Sequence, residues 1–464
     1  MRSGIRPPVA TAVILALLFA ACGGTSASPS GAPTSSGAQA TPAPSGSGGE
    51  PSGPATGEAC PDGIPDEPVT ITYWSSSEPQ GEALQREIIA EYTALHPNVT
   101  INYEVYGLFD SFDAWNLHVP AGAGPTLMLA YEPWIEIFHS QDLLVPAVPE
   151  AMCESSHQDI IDRYIEGTID PLTRDGDVYA LPEQRNAWSL LINNDKFTEA
   201  GLSLEEDIPT TWAEVADLQD DLRKEENGRT VQKGFEFRYT SGGQWMGATL
   251  TGMIYQAGGD VLDENEQPTF NGPEGVDALT QWKANIVDPQ VTSNAQGDPY
   301  QDFAQEQDVL SFGGPNALSF VYQINPSLEG RVSVASMPDA GPEFGGGASY
   351  GFHYVVSANA SDAERAAAWH FLDFLTTDAN RWFADTGLLQ PKIGWYEDPA
   401  AEQFEGLDVF IQDLADSRPL PRTRYWSQLQ SAFVGAVERV AYEDADPKAS
   451  LDQAAQEYLS AIGG

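Results

Sequence analysis

Basic side chains are scarce in this chain: 22 Lys and Arg stand against 68 Asp and Glu, a formal net charge of −46 over 464 residues. A surface of that sign repels phosphate, which excludes nucleic acid as a partner. The acid reads instead as a solvated surface that keeps the protein soluble and off anionic lipid. Histidine is also sparse, with only His96, His118, His139, His157, His353 and His370. No H-E-x-x-H pair occurs and no two cysteines have zinc spacing, so neither a metal nor a cofactor is expected. Long hydrophobic runs are missing too. The one N-terminal apolar stretch, residues 9–21, would make a helix of roughly 20 Å against a hydrocarbon core of roughly 30 Å, too short to span.

What that stretch does have is the layout of a secretory signal: Arg2 and Arg6 ahead, small residues behind. Leu18-Phe19-Ala20-Ala21-Cys22 resembles a bacterial lipobox. The resemblance implies a signal peptide over residues 1–21 and lipidation of Cys22, which would hold the chain to the outer face of the cytoplasmic membrane. Residues 23–59 are Gly, Ser, Ala, Pro or Thr except at Gln39, Glu50 and Glu58. Such a composition cannot bury enough apolar surface to offset the entropy of ordering. Residues 22–67 are therefore expected to be a lipidated cysteine and a disordered linker, with a root-mean-square reach on the order of 30 Å. Of the three cysteines, Cys60 and Cys153 remain, and two thiols in an exported chain suggest one disulfide.

From Val69 onward strand-like and helix-like patterns alternate, which indicates an α/β sheet with helices on its faces. Strands are expected at residues 69–74, 99–105, 126–130, 178–181, 333–337 and 352–356. Helices are expected at 82–94, 134–140, 211–225, 246–256, 275–286, 303–306, 362–375, 379–385, 429–442 and 451–461. His96-Pro97-Asn98 separates the first helix from the second strand.

The order of several phrases resembles the extracellular solute-binding proteins of ABC importers, in the group of maltose- and oligosaccharide-binding proteins. They include Ile71-Thr72-Tyr73-Trp74, His96-Pro97-Asn98-Val99, Asp175-Gly176-Asp177-Val178-Tyr179-Ala180-Leu181-Pro182, Gln256-Ala257-Gly258-Gly259-Asp260-Val261, Ser311-Phe312-Gly313-Gly314-Pro315 and Gly387-Leu388-Leu389-Gln390-Pro391. The resemblance runs from about Val69 to the end. It implies a two-lobe, class II periplasmic-binding-protein-like α/β fold with an inter-lobe hinge. Residues 68–183 plus 316–376 would form the N-terminal lobe, and 184–315 plus 377–464 the C-terminal lobe. Crossings would fall near 183–188, 312–316 and 376–378. The partners implied are a small ligand, a mono- or oligosaccharide, and the permease's transmembrane subunits; the chain would act as a monomer and touch the membrane through its lipid only.

Two enzyme- or metal-like patterns fail on context. Gly347-Ala348-Ser349-Tyr350-Gly351 matches a nucleophile elbow, but that turn needs a strand before the Ser and a helix after it, whereas Ser349 leads into a strand-like run. A calcium loop starting at Asp263 would need Gly at its sixth position and has Pro268 there, so a surface hairpin is expected.

Aromatic residues, by contrast, are plentiful, with 11 Trp, 17 Tyr and 19 Phe. Open α/β sheets bind ligands beyond the carboxyl ends of their strands. That rule nominates Trp74 to Glu78 after the first strand, Tyr131, Glu132 and Trp134 after another, and Gln184 to Trp188, Arg185 among them, after a third. Trp245 follows Gly242-Gly243, Gly313 and Asn316 flank the Gly-Gly-Pro phrase, Tyr350 and Phe352 flank Gly351, and Arg424 lies in a Pro-punctuated loop. An aromatic face suits the C–H side of a pyranose, while Glu, Gln, Asn and Arg fix its hydroxyls. The expectation is a carbohydrate receptor without catalytic residues; a glycerol phosphate or polyamine receptor, or a secreted hydrolase, are the alternatives.

Overall fold

The computed structural model describes residues 63–76, 79–107, 109–235, 237, 243–286, 299–340, 347–394, 396, 401 and 404–463. All lie in Thr56–Gly464, the second of the two units into which the chain divides. Cys22, Cys60, Glu78, the expected signal peptide and most of the expected linker lie outside the described residues.

Three strands run parallel at the start: β1 (Val69–Ser76) in the middle, β2 (Val99–Tyr106) on one side and β3 (Leu127–Tyr131) on the other. Parallel neighbours need a crossover, and the helix Pro79–Leu95 supplies it between β1 and β2. Pro97 disfavours the helical region for His96, and the helix stops one residue earlier. β4 (Thr173–Arg174) and β5 (Asp177–Val178) form a small hairpin, followed by β6 (Ala180–Asn186) and β7 (Ser189–Asn193).

The helix expected over 211–225 is shorter. It spans Trp212–Leu222, started by a capping box between Thr211 and Glu214, and Arg223 is already extended. The chain turns there into a hairpin of β8 (Lys224–Glu226) and β9 (Arg229–Gln232). Its turn is Asn227-Gly228, both at positive φ, as a two-residue hairpin turn of this kind requires. The remaining strands are β10 (Leu310–Gly313), β11 (Val332–Ala335), β12 (Ala348–Val356) and β13 (Arg418–Pro419).

These strands form two larger sheets. One has the order β13-β12-β3-β1-β2 with β6 also paired to β12; the other has the order β10-β7-β11, antiparallel throughout. β12 is the centre of the first sheet, buried along its whole length and antiparallel to both β3 and β6. The chain passes between sheets from β6 to β7, within the expected 183–188 crossing. It returns between β11 and β12, not near 312–316 as expected, because β10 and β11 both pair with β7. Residues 316–335 thus keep to the second sheet.

No sheet change occurs at 376–378 either. The helix Asp362–Leu375 packs on β1 and β12, and the next helix, Ala379–Thr386, packs on Pro79–Leu95. The three-stranded sheet is reached again by the helix Leu407–Asp416, whose Phe410 packs with Leu191. Gly-Gly-Pro and Thr-Thr-Asp mark helix starts, which sequence punctuation does not distinguish from crossings.

Cys153 is disulfide-bonded. Gly63, the first described residue, lies so close to the same segment that a Cβ there would come within 2.6 Å of the Ala151 carbonyl oxygen. The segment at Asp263 is a hairpin, as expected, with an antiparallel bridge between Leu262 and Pro268. Ser349 sits inside β12, paired with Pro419.

Candidate functional site

β3, β6 and β12 converge at one end of the larger sheet. β3 ends at Tyr131, and the helix Glu132–His139 starts at once, with Pro133 suited to its first turn. β6 brings Gln184, Arg185 and Asn186 alongside Phe352, Gly351 and Tyr350 of β12. A register shift between Phe352 and His353 leaves Glu183 unpaired in the ladder, and such a bulge re-aims side chains. Gly351 is obligatory here: a Cβ would lie 2.3 Å from the His353 ring and 2.6 Å from the Gln184 carbonyl oxygen.

A buried polar group results. Arg185 donates through Nη1 to Glu132 Oε2 at 2.5 Å and through Nη2 to Ser349 Oγ at 3.0 Å. His353 Nε2 lies 3.2 Å from the same Glu132 oxygen. Burial opposes the charge on Glu132, but Arg185 and then His353 outweigh it and hold the carboxyl below its ordinary range. Burial likewise pushes the His353 imidazole down, against the pull of Glu132. The Arg185 charge is thus consumed by Glu132, and the group as a whole is balanced.

Over this group lies a cluster of rings. Tyr131 and Phe352 stand 5.4 Å apart, Trp245 and Tyr350 5.3 Å, Trp188 and Tyr350 5.1 Å, and Trp188 and Phe312 5.2 Å, centroid to centroid. Trp245 also meets Tyr131 at 6.2 Å and Phe109 at 6.0 Å. Tyr131, Tyr350 and Phe352 belong to the larger sheet, Phe312 to the smaller one, Trp188 to the crossing between them, and Trp245 to the helix Gly243–Gln256. Such offset and edge-on pairs are favourable beyond the area they bury.

Several buried polar atoms around the cluster have no hydrogen-bond partner among the described residues. They are Tyr131 Oη, Glu132 Oε1, Trp188 Nε1, Asn186 Oδ1 and Asn316 Oδ1. Asn186 donates to Gln184 Oε1 at 2.5 Å, and a Cβ on Gly314 would come within 3.3 Å of it, so the crossing, Gly313-Gly314 and Asn316 meet in one place. Beside Gln184 and Phe352 a cavity of about 10 Å³, room for one water, is lined also by Gln85 and Glu183. There Gln85 donates to Glu183 Oε1 at 2.7 Å and Tyr354 does so at 2.9 Å.

Of the nominated residues, Tyr131, Glu132, Gln184, Arg185, Trp245, Gly313, Asn316, Tyr350 and Phe352 come together. Trp74 does not join their rings: it packs on Tyr106 at 4.6 Å and His118 at 6.0 Å. Arg424 lies at the surface over Tyr425, donating to its hydroxyl at 2.7 Å. Sequence reasoning missed Phe109, Phe312 and His353, and dismissed Ser349 with the elbow pattern. A strand-pairing register was needed to find them.

The bacterial extracellular solute-binding protein family matches residues 74–382. A binding protein of Brucella abortus (strain 2308) is 24% identical over 384 residues, 80% of this chain and 87% of its own length. The maltotriose-binding protein of Pyrococcus abyssi is 22% identical over 416 residues, covering 85% and 83%. Among solved structures, an ABC transporter solute-binding protein from Thermotoga lettingae, bound with alpha-D-tagatose, superposes with a TM-score of 0.73 at 20% identity over 84% of this chain and 99% of that one. The fold is the two-lobed α/β fold of such proteins.

Proposed function

The chain belongs to the family of bacterial extracellular solute-binding proteins, and from that premise we propose that it captures a neutral carbohydrate between its lobes and hands it to the permease of an ABC importer, with no covalent chemistry. The observation that carries this reading is the mixture at the ring cluster. Tyr131 Oη and Trp188 Nε1 can donate, and Glu132 Oε1, Asn186 Oδ1 and Asn316 Oδ1 can accept, all buried and without partners among the described residues. Sugar hydroxyls both donate and accept, and a pyranose presents an apolar face to rings.

Charge supports a neutral ligand. Arg185 is bound by Glu132, and Arg422 donates to the carbonyls of Asp170 and Thr173. The guanidinium at the ring cluster is thus committed to Glu132 and Ser349 instead of to a phosphate or carboxylate, and Glu132 is balanced by it against a polyamine.

The lobes follow the strands: β1, β2, β3, β6, β12 and β13 belong to one, and β7, β10 and β11 to the other. Ligand would favour the arrangement in which rings of both lobes enclose it. Cys22 would carry the lipid, and Cys60 would be the partner of Cys153. A thermal-shift screen of the purified protein against neutral mono- and oligosaccharides tests the reading. A ligand at about 100 times its dissociation constant adds roughly 2.7 kcal/mol of stability. The reading fails if no sugar raises the melting temperature while an anionic or cationic solute does, or if any sugar is cleaved to new reducing ends.

A further inference from the structure

The backbone enters the three-stranded sheet at Ser189, the first residue of β7, and leaves it after Ala335, the last of β11. These two ends are side by side, since Leu190 pairs with Ala335. A third connection lies next to them: the helix Leu407–Asp416 packs on β7 and runs directly into β13, which pairs with β12 of the other sheet. One side chain reaches both β-connections. Asp413 Oδ2 accepts from Ser189 Oγ at 2.6 Å and from the Met337 backbone N–H at 3.2 Å. Ser336 also bonds to this carboxylate. Asp413 is buried, as is Ser189.

We infer that Asp413 is a positioning residue for lobe closure, a single acceptor that ties the outgoing and returning connections to each other and to the helix carrying the third. Three donors on two segments share one carboxylate, so neither segment turns independently while all three bonds hold. No cation pairs with it among the described residues; its charged neighbours are Asp416 and Asp339, which repel it. The clamp therefore works by hydrogen bonds from neutral groups, the geometry a hinge needs if it is to flex about a fixed point without a salt bridge to break. It makes no contact with the ring cluster in the described structure, so its effect on binding is indirect. The inference rests on the two-lobed binding reading only for the purpose of closure, and its test needs no ligand.

Small-angle X-ray scattering of the full-length chain, carrying Cys22→Ala so that it stays in solution, reads the clamp directly. Asp413→Ala should enlarge the radius of gyration and broaden the distance distribution, and Ser189→Ala, which removes one bond, should do so less. Asp413→Asn keeps an acceptor oxygen and should return the curve to that of the parent. Thermal melts establish that each variant is folded; if Asp413→Ala is not, Ser189→Ala and Asp413→Asn decide. Curves for folded Asp413→Ala or Ser189→Ala that superimpose on the parent's overturn the inference, as does an Asp413→Asn curve as broad as that of Asp413→Ala. A failure of the sugar screen would leave these curves unaffected.

Discussion

Tyr131 and Trp245 meet with ring centroids 6.2 Å apart, one at the end of a strand in the six-stranded sheet, the other on a helix more than a hundred residues later that packs on β12. Trp245 is half-buried, whereas Tyr131 is fully buried. The Trp245 ring meets Tyr131, Tyr350, Trp188 and Phe109 edge-on, and it belongs to a helix outside both larger sheets.

Trp245→Ala should therefore weaken sugar binding with little loss of stability. Losing about 1.5 to 3 kcal/mol of buried face corresponds to about ten- to a hundredfold in affinity. Trp74→Ala should do the reverse, costing about 3 to 5 kcal/mol of stability as a buried large-to-small change while binding is retained. Calorimetric titration with the best sugar from the screen, alongside urea melts, checks both; equal affinity for Trp245→Ala and the parent would move the site elsewhere.

Arg185→Ala leaves Glu132 buried without its main compensating charge, a loss of about 3 to 5 kcal/mol. Replacing both members, as Glu132→Leu with Arg185→Met, should recover most of that stability, because a buried pair and an apolar pair of similar volume are often equivalent. Sugar binding should not recover, since Glu132 Oε1 would be gone. Denaturant melts of the two single variants and the double variant give the coupling. A double variant that binds sugar like the parent would show the pair to be structural only.

Much of this fold was legible because local chemistry and tertiary context agree. Ser361 with Glu364 starts the helix Asp362–Leu375 at the expected residue, and Pro97 ends the first helix where it should. The candidate site was approached in the sequence as a set of strand ends, and the structure brings Tyr131, Glu132, Gln184, Arg185 and Phe352 together at one end of the larger sheet. Trp74 stands apart from that group because β1 buries both faces near its end, and its ring packs on Tyr106 of β2 and on His118. The return crossing and the role of His353 depend on long-range pairing: β11 with β7, and a bulge opposite Glu183. No local pattern encodes either.

The disulfide of Cys153 is expected to run to Cys60. Gly63 lies against Ala151, and the Pro65 carbonyl accepts from Asn98 Nδ2 at 2.7 Å, so the chain just after Cys60 is held beside Cys153. A loop of about 90 residues would be closed, worth about 4 to 5 kcal/mol in the chain-entropy account. Peptide mapping of the non-reduced protein should find the two linked, with Cys22 absent from any disulfide; a Cys22–Cys153 peptide would instead remove both this pairing and the lipidation of Cys22.

Lipid anchoring is the expectation drawn from the resemblance of residues 18–22 to a lipobox. Cys22→Ala should move the protein from the membrane fraction to the soluble fraction without changing its melting temperature. Fractionation and immunoblotting decide this, and a variant that stays in the membrane at the parent's level rules the lipid anchor out.

His353 should make stability fall with acid. Its imidazole is buried and held below its ordinary value by that burial, with Arg185 pushing the same way and Glu132 opposing. In the unfolded chain it takes up a proton near pH 6.5, whereas in the folded chain it does so only at lower pH. The unfolded state therefore binds more protons over the interval below about 6.5, and stability rises with pH across that interval. The Glu132 carboxyl, held low in the fold, adds a slope of the same sign, but mainly below its ordinary unfolded range near pH 4.3. His353→Gln, which keeps a polar group facing Glu132, should flatten the dependence between about pH 5 and 6.5 and leave the steeper acid limb. Melting temperatures of parent and variant measured across that range carry the test. Parallel curves would mean that the imidazole binds its proton equally in the folded and unfolded chains over this range, and that the slope arises elsewhere.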